Sequence, residues 1–302
     1  MLYYKSRTKS KELKILTLLD KRMKLNSKDK QHYLSLNKGY EGEVLFDTFT
    51  KNLTCECLIL NDLLFEVNNT FFQIDSLIMM QRKIHFFEVK NFAGDYYYQS
   101  DKLFKKPKLE VINPLHQLSR SESLLQQLLL NQGFNLQIDA SVVFVNPDFN
   151  LYQAPLDKPI IFSNQINRYI ENQNTITTKL TAKHNKLADQ LLSLHKVDSP
   201  FSKLPTYDYE QLQKGITCLK CQSYSVTAEK RNCVCQRCGY EELVSKAVLR
   251  TLKEFQILFP NQQITTNIIY DWCQMVKSKQ RIRRILASNY KIVGVRQWAY
   301  FV

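Results

Sequence analysis

The chain has 302 residues, 44% hydrophobic and 12% aromatic, with a formal charge of +14. This is enough length and apolar content for more than one packed core, and it excludes a disordered, low-complexity chain. No apolar run approaches the roughly 18–20 residues of a membrane span. The N-terminal MLYYKSRTKSKELK has no apolar stretch ahead of a small-residue cleavage site, so a soluble, cytoplasmic protein is expected. The charge is uneven: residues 1–38 hold eleven Lys/Arg against three Asp/Glu, and residues 241–302 hold ten against four. Two basic ends around a near-neutral middle suit a polyanion, nucleic acid above all.

In chain order, Leu13, Leu16, Leu19 and Met23 recur at helical spacing and predict a basic amphipathic helix over 8–26. A second helix is expected over about 28–52, with Tyr40, Val44, Leu45, Phe49 and Leu53 as its apolar set. Strands are expected near 55–60, 63–67, 71–80, 84–90 and 95–99. NPLHQLSRSESLLQQLLLNQ (113–132) reads as a helix opened by Pro114 and ended before Gly133. QIDASVVFVNP (137–147) and KPIIFSN (158–164) read as strands, and 165–196 as helical. This order predicts an α/β domain with a mixed sheet flanked by helices. Two prolines without a clear period predict a linker over 197–215. The expected segments are therefore a basic helical stretch (1–37), the α/β domain (38–196), the linker (197–215), a cysteine module (216–241) and a helical unit (242–302).

The stretch QIDSLIMMQRKIHFFEVKNF (73–92) places charge inside a pair of apolar strands. MQRK lacks the Gly or Asn of a primed two-residue turn, so a four-residue loop over Met80–Lys83 is expected. A hairpin centred between Gln81 and Arg82 puts Asp75 opposite Glu88, Leu77 opposite Phe86 and Gln73 opposite Lys90. Two carboxylates so close on a half-buried face repel each other. A divalent cation removes the conflict, and oxygen-only ligands suit Mg²⁺ or Mn²⁺. Lys90 shares that face and can hold an attacking water or stabilise charge on a phosphate. The trio reads as metal-assisted phosphodiester hydrolysis. The plainer alternative is an edge-strand ion pair of Lys90 with either acid.

GYEGE, FFQIDSLIM, IHFFEVKNFAGDYYY and NPLHQ, in that order, resemble the nuclease-related domain (NERD) of the PD-(D/E)XK, restriction-endonuclease-like superfamily. The resemblance covers about residues 38–150 and implies a restriction-endonuclease-like mixed sheet. It also implies Asp75 and Glu88 as metal ligands, Lys90 as the catalytic lysine, Gln117 in support and Glu43 as the acidic residue of the first helix. A helical wheel with Leu45 and Phe49 inward puts Glu41 nearer the apolar face than Glu43, so both remain candidates. His85 and His116 lie near these motifs and read as structural.

Of the eight cysteines, Cys218, Cys221, Cys233, Cys235 and Cys238 crowd into 21 residues. Cys218-x2-Cys221 and Cys235-x2-Cys238 predict a four-cysteine site for structural Zn²⁺, similar to a zinc ribbon, with Cys233 as the spare. So short a segment draws its stability from the metal. Three helices and a hairpin turning near Gly294 follow, resembling a winged helix-turn-helix. In it Lys279, Arg281, Arg283 and Arg284 would meet nucleic acid from the third helix and Arg296 from the wing. The leading expectation is a Mg²⁺-dependent nuclease acting on DNA. Its alternatives are a non-catalytic DNA-binding or regulatory protein on the same scaffold, and an RNA-processing nuclease.

Overall fold

The apolar runs LILNDLLFEV and TFFQIDSLIM pair antiparallel as β2 (Leu58–Val67) and β3 (Thr70–Met79). They turn through Asn68 and Asn69, at φ 48° and 59°. Asparagine tolerates the left-handed region that a primed two-residue turn requires. The computed structural model that displays this pair describes residues 2–295 and 298–302.

Four further strands, β1 (Leu2–Lys5), β4 (Lys83–Lys90), β8 (Gln137–Phe144) and β10 (Ile160–Phe162), complete a six-stranded sheet of order β1-β2-β3-β4-β8-β10. β1, β8 and β10 run parallel to their neighbours β2, β4 and β8. A second, four-stranded sheet has the order β7-β6-β5-β9, from β5 (Gly94–Gln99), β6 (Lys102–Lys105), β7 (Leu109–Val111) and β9 (Phe149–Tyr152). The fold is thus mixed α/β, as expected.

Helices cover both faces of the larger sheet. On one face Leu77, Phe86 and Val142 pack with α3 (Pro114–Asn131) through Leu118 and Leu125, and with α5 (Ala182–Leu194) through Leu187 and Leu191. On the other, Ile59, Ile78, Phe87 and Val143 pack with Phe46 of α2 (Ser27–Thr50) and with Ile166 and Ile170 of α4 (Ile166–Asn174). Each such buried side chain contributes about 1.5–3 kcal/mol. Burial on both faces explains why β3 and β4 read as nearly continuous apolar runs.

The chain divides into two compact units, one of Met1–Lys9 with Leu34–Phe201, the other of Ser10–Tyr33 with Ser202–Val302. The second contains α1 (Lys11–Arg22), the three-stranded sheet β11 (Val226–Glu229), β12 (Asn232–Cys235) and β13 (Glu241–Leu243), and α6 (Val244–Leu258). It continues with α7 (Thr266–Cys273), α8 (Lys279–Ala287) and the ladder of β14 (Ile292–Val293) with β15 (Tyr300–Phe301). Trp272 is fully buried at its centre, beside Phe255 and under the Arg22 guanidinium at 4.2 Å. Arg22 also binds Glu254 at 2.6 Å and the Gln213 carbonyl at 2.9 Å.

Several segments differ from the sequence reading. Residues 1–37 are shared between the units: β1 joins the large sheet, while α1 belongs to the core of the second unit. The stretch 197–215, expected to link, contributes buried Leu212 and the Tyr207 and Tyr209 rings that pack around Phe259 and Trp272. The helix expected over 165–196 is broken into α4 and α5, because the β-branched run TITTKLT resists helix. The strands expected at 55–60 and 63–67 are one strand, β2. Among the described residues, no helix is long and apolar enough to cross a membrane.

Candidate functional site

The β3–β4 ladder pairs Ser76 with Phe87, Leu77 with Phe86, Ile78 with His85 and Met79 with Ile84. This is the expected register, closed by a Met80 N–H to Lys83 C=O bond of 3.0 Å. Continued outward, it sets Asp75 against Glu88. The Asp75 carboxylate accepts the Val89 N–H at 2.8 Å, and both acids are buried, at 7% and 1% exposure. Lys90 donates to Glu88 Oε1 at 2.6 Å and to Gln117 Oε1 at 3.2 Å. Gln117 lies in the first turn of α3, which Asn113 opens by capping the Leu115 N–H.

Glu43 reaches the same cluster through a residue that the sequence reading did not single out. Arg7, its side chain only 3% exposed, donates to Glu43 at 2.7 Å, to both oxygens of Asp47 at 3.0 and 3.1 Å, and to the Asp75 carbonyl at 2.8 Å. That carbonyl is available because the β2–β3 ladder omits the Asp62–Asp75 pair, where Asp62 takes φ 56°. Lys5 binds the carbonyls of Asn61 and Asp62 at the same break. Asn61, fully buried, ties Asp47 to Ser76.

Of the two candidate glutamates, Glu41 is exposed and bonds its own helix neighbour Asn37. The inward stripe of α2 is Gly42, Phe46 and Thr50, whereas Val44 and Leu45 are exposed at 39% and 37%. Leu45, expected on the inward face, instead faces solvent. Gly42 sets this rotation: a Cβ there would lie 2.5 Å from the Asn91 Cβ. Asn91 in turn donates to the Lys38 carbonyl and accepts from Asn146. Thus GYEGE, EVKN and VNP interlock as backbone and amide contacts just beyond Lys90.

Burial and the facing Asp75 charge push Glu88 up to about 7. Burial, then Asp75, pushes Glu43 up to about 8 against the opposing pull of Arg7. Asp75 is raised by burial, against the pull of Lys90. Burial alone would lower Lys90, but Glu88 and Asp75 outweigh it and raise its pKa. Four carboxylates (Glu43, Asp47, Asp75, Glu88) thus face two cations, Arg7 and Lys90, and Glu88 Oε2 is buried with no hydrogen-bond partner. The cluster thus holds a buried carboxyl oxygen without a protein partner, beside two acids that burial keeps partly protonated near neutral pH.

His85 is buried, bonds the Tyr169 hydroxyl at 2.8 Å and is lowered to about 4 by burial. It is therefore neutral near neutral pH. His116 sits on the exposed side of α3, 2.7 Å from Asp101.

In the second unit, the sulfurs of Cys218, Cys221, Cys235 and Cys238 lie within 4.8 Å of one another and could hold a metal ion. Two sulfur pairs stand 3.6 Å apart. Four thiolates about 2.3 Å from one Zn²⁺ would have edges of about 3.8 Å, so the set fits that ion. Cys218 with Cys221 and Cys235 with Cys238 each sit on a tight turn, one through Gln222 at φ 59° and one through Gly239 at φ 70°. Cys233 is buried in β12 opposite Ala228, outside the cluster. Among the described residues, these cysteines are the one group of three or more such ligands so closely gathered.

Along α8, Lys279, Arg283 and Arg284 are exposed, Arg281 is half-buried, and Ile282 and Leu286 are buried. Lys279 and Arg283 border a cleft of about 340 Å³ with Thr265, Thr266 and Asn267. Arg296 lies outside the described residues.

Residues 38–145 match the family model of the nuclease-related domain. The match takes in Glu43, Asp75, Glu88, Lys90 and Gln117, whereas Arg7 precedes it. The nuclease-related domain points to a nuclease-related function and a nucleic-acid substrate. No curated protein and no solved structure matches the chain.

Proposed function

We propose that this chain is a divalent-metal-dependent nuclease that hydrolyses phosphodiester bonds, with DNA as its expected substrate. The observation that carries the reading is the buried Asp75–Glu88–Lys90 cluster, with its unpartnered Glu88 Oε2, inside the stretch that matches the nuclease-related domain. Asp75 and Glu88 would hold Mg²⁺ or Mn²⁺, which when bound would supply Lewis-acid stabilisation of the phosphate. Lys90, kept charged by its acidic neighbours and held by Gln117, would orient the attacking water and stabilise charge on the phosphate oxygens. Arg7 and Asp47 would fix Glu43 against this site.

The four cysteines would hold a structural Zn²⁺, with no position left open for chemistry. The α6–α8 helices with the β14–β15 ladder would form a winged-helix-like nucleic-acid-binding unit, and Lys279, Arg281, Arg283 and Arg284 would meet phosphates. A second reading, a nucleic-acid binder that does not cleave, draws on the Lys90–Glu88 ion pair at 2.6 Å, which already neutralises one acid.

A panel of single-stranded, duplex, nicked and branched DNA, with RNA counterparts, incubated with Mg²⁺ or Mn²⁺ tests both. Cleavage that disappears in Asp75→Asn and Lys90→Ala supports the nuclease. Binding with no cleavage of any substrate supports the second reading.

A further inference from the structure

The four-stranded sheet carries aromatic rings on the face that the core does not use. Its inner face is apolar and anchored: Tyr96, Leu103 and Phe149 are buried and belong to the main core. On the outer face the register aligns Tyr152, Tyr97, Phe104 and Glu110 in one row across β9, β5, β6 and β7. Tyr97 and Phe104 stack at 5.1 Å with an interplanar angle of 13°. Tyr152 is 48% exposed, and the Lys106 ammonium lies 3.6 Å from its ring centre. The β6–β7 stretch KLFKKPKLEV sets Lys102, Lys105, Lys106 and Lys108 against the single acid Glu110.

The chain links this sheet to the candidate active site. β4 and β8 run parallel, and both pass directly into this sheet, where Gly94 pairs with Phe149. Lys90 stands at the exit of β4, and β7 leads into the helix that carries Gln117.

We infer that the Tyr152–Tyr97–Phe104 row is a stacking platform for the unpaired bases of a single-stranded nucleic acid. Aromatic faces stack on any base, and flanking lysines follow the phosphates. A duplex keeps its base faces covered and cannot use the row. The inference rests on the nuclease reading to this extent: it names the form of the strand presented to that site.

The test is fluorescence polarisation with the full chain in buffer free of divalent cations. The probes are labelled oligothymidylate, oligouridylate and a mixed-sequence duplex. The expected result is that Tyr97→Ala/Phe104→Ala weakens single-strand binding about tenfold or more while duplex binding stays unchanged. Tyr97→Phe should bind as wild type. Tyr97→Leu/Phe104→Leu retains apolar bulk on the sheet, and it should lose binding like the alanine pair at an unchanged melting temperature. The two single strands separate a DNA from an RNA ligand.

Wild-type single-strand affinity in either double variant, an equal loss on the duplex, or no single-strand binding by the wild type overturns the inference. Single-strand binding through the row without cleavage under Mg²⁺ or Mn²⁺ supports the inference and sinks the nuclease reading. Single-strand cleavage indifferent to the row, but lost in Asp75→Asn, sinks the inference alone.

Discussion

The two candidate metal centres solve opposite problems. The four cysteines sit on two turns of a small three-stranded module that draws little stability from its own core. The acids sit in a sheet buried on both faces, braced by Arg7, Asn61 and Lys90. In the first place the ion would organise the protein. In the second the protein is already organised, and ammonium and guanidinium groups balance part of the charge that an ion would meet. The contrast teaches that ligand proximity alone does not grade a site: on the proposed reading, the tighter cluster would be the closed one and the looser cluster the one with chemistry to offer.

Removing the ion breaks the comparison most sharply. Cys218→Ser or strong chelation should unfold the cysteine module outright, since binding of structural zinc is worth roughly 10 kcal/mol or more. Hydrogen exchange across 216–241 would register it, with β3 and β4 protected as before. Cys233→Ser should leave zinc stoichiometry at one ion.

Next comes Arg7→Ala, which strands Glu43 and Asp47 and should cost about 3–5 kcal/mol in denaturant melts. Arg7→Lys retains the charge without the fork and should recover part of this loss. Lys90→Ala should lower the cleavage rate by about 10²–10⁴ while the fold persists, measured in single turnover.

The remaining effect is on pH dependence. Glu88 and Glu43, raised to about 7 and about 8 from an ordinary value of 4.5, hold protons in the folded chain that the unfolded chain has released. Their contribution is fully present below pH 4.5 and is lost as pH rises through 7 and 8. In metal-free buffer the wild type should therefore lose stability steadily as the pH rises from 5 to 8. Glu88→Gln should flatten that slope, and Mg²⁺ should stabilise the wild type chiefly above pH 7.

Much of the candidate site could be read from the sequence because it is local. Strand alternation sets the register that faces Asp75 with Glu88, and two residues of spacing carry that face on to Lys90. Cysteine pairs at x2 spacing declare themselves in the same way, and the structure separates Cys235 from Cys233 as expected. Arg7 was hidden for a physical reason: among eleven basic residues near the N-terminus, nothing marks the one that is buried. The same holds for Lys5 and Arg22. A basic terminus that reads as a surface for polyanions partly serves as internal counter-charge. Leu45 misled because its apolar side chain faces solvent, whereas the helix rotation is set by Gly42, a residue without a side chain. TITTKLT divided a helix whose flanks share one period.

Arg22 and Glu254 meet across 232 residues of sequence. On the ribosome α1 emerges well before the Trp272 ring that its Arg22 will cover. Its apolar stripe must therefore wait, uncovered, while the large sheet is synthesised between. A chaperone that shields Ile15, Leu18 and Leu19 during that interval would cover apolar surface prone to aggregate, and truncation ahead of α6 would leave that surface bare.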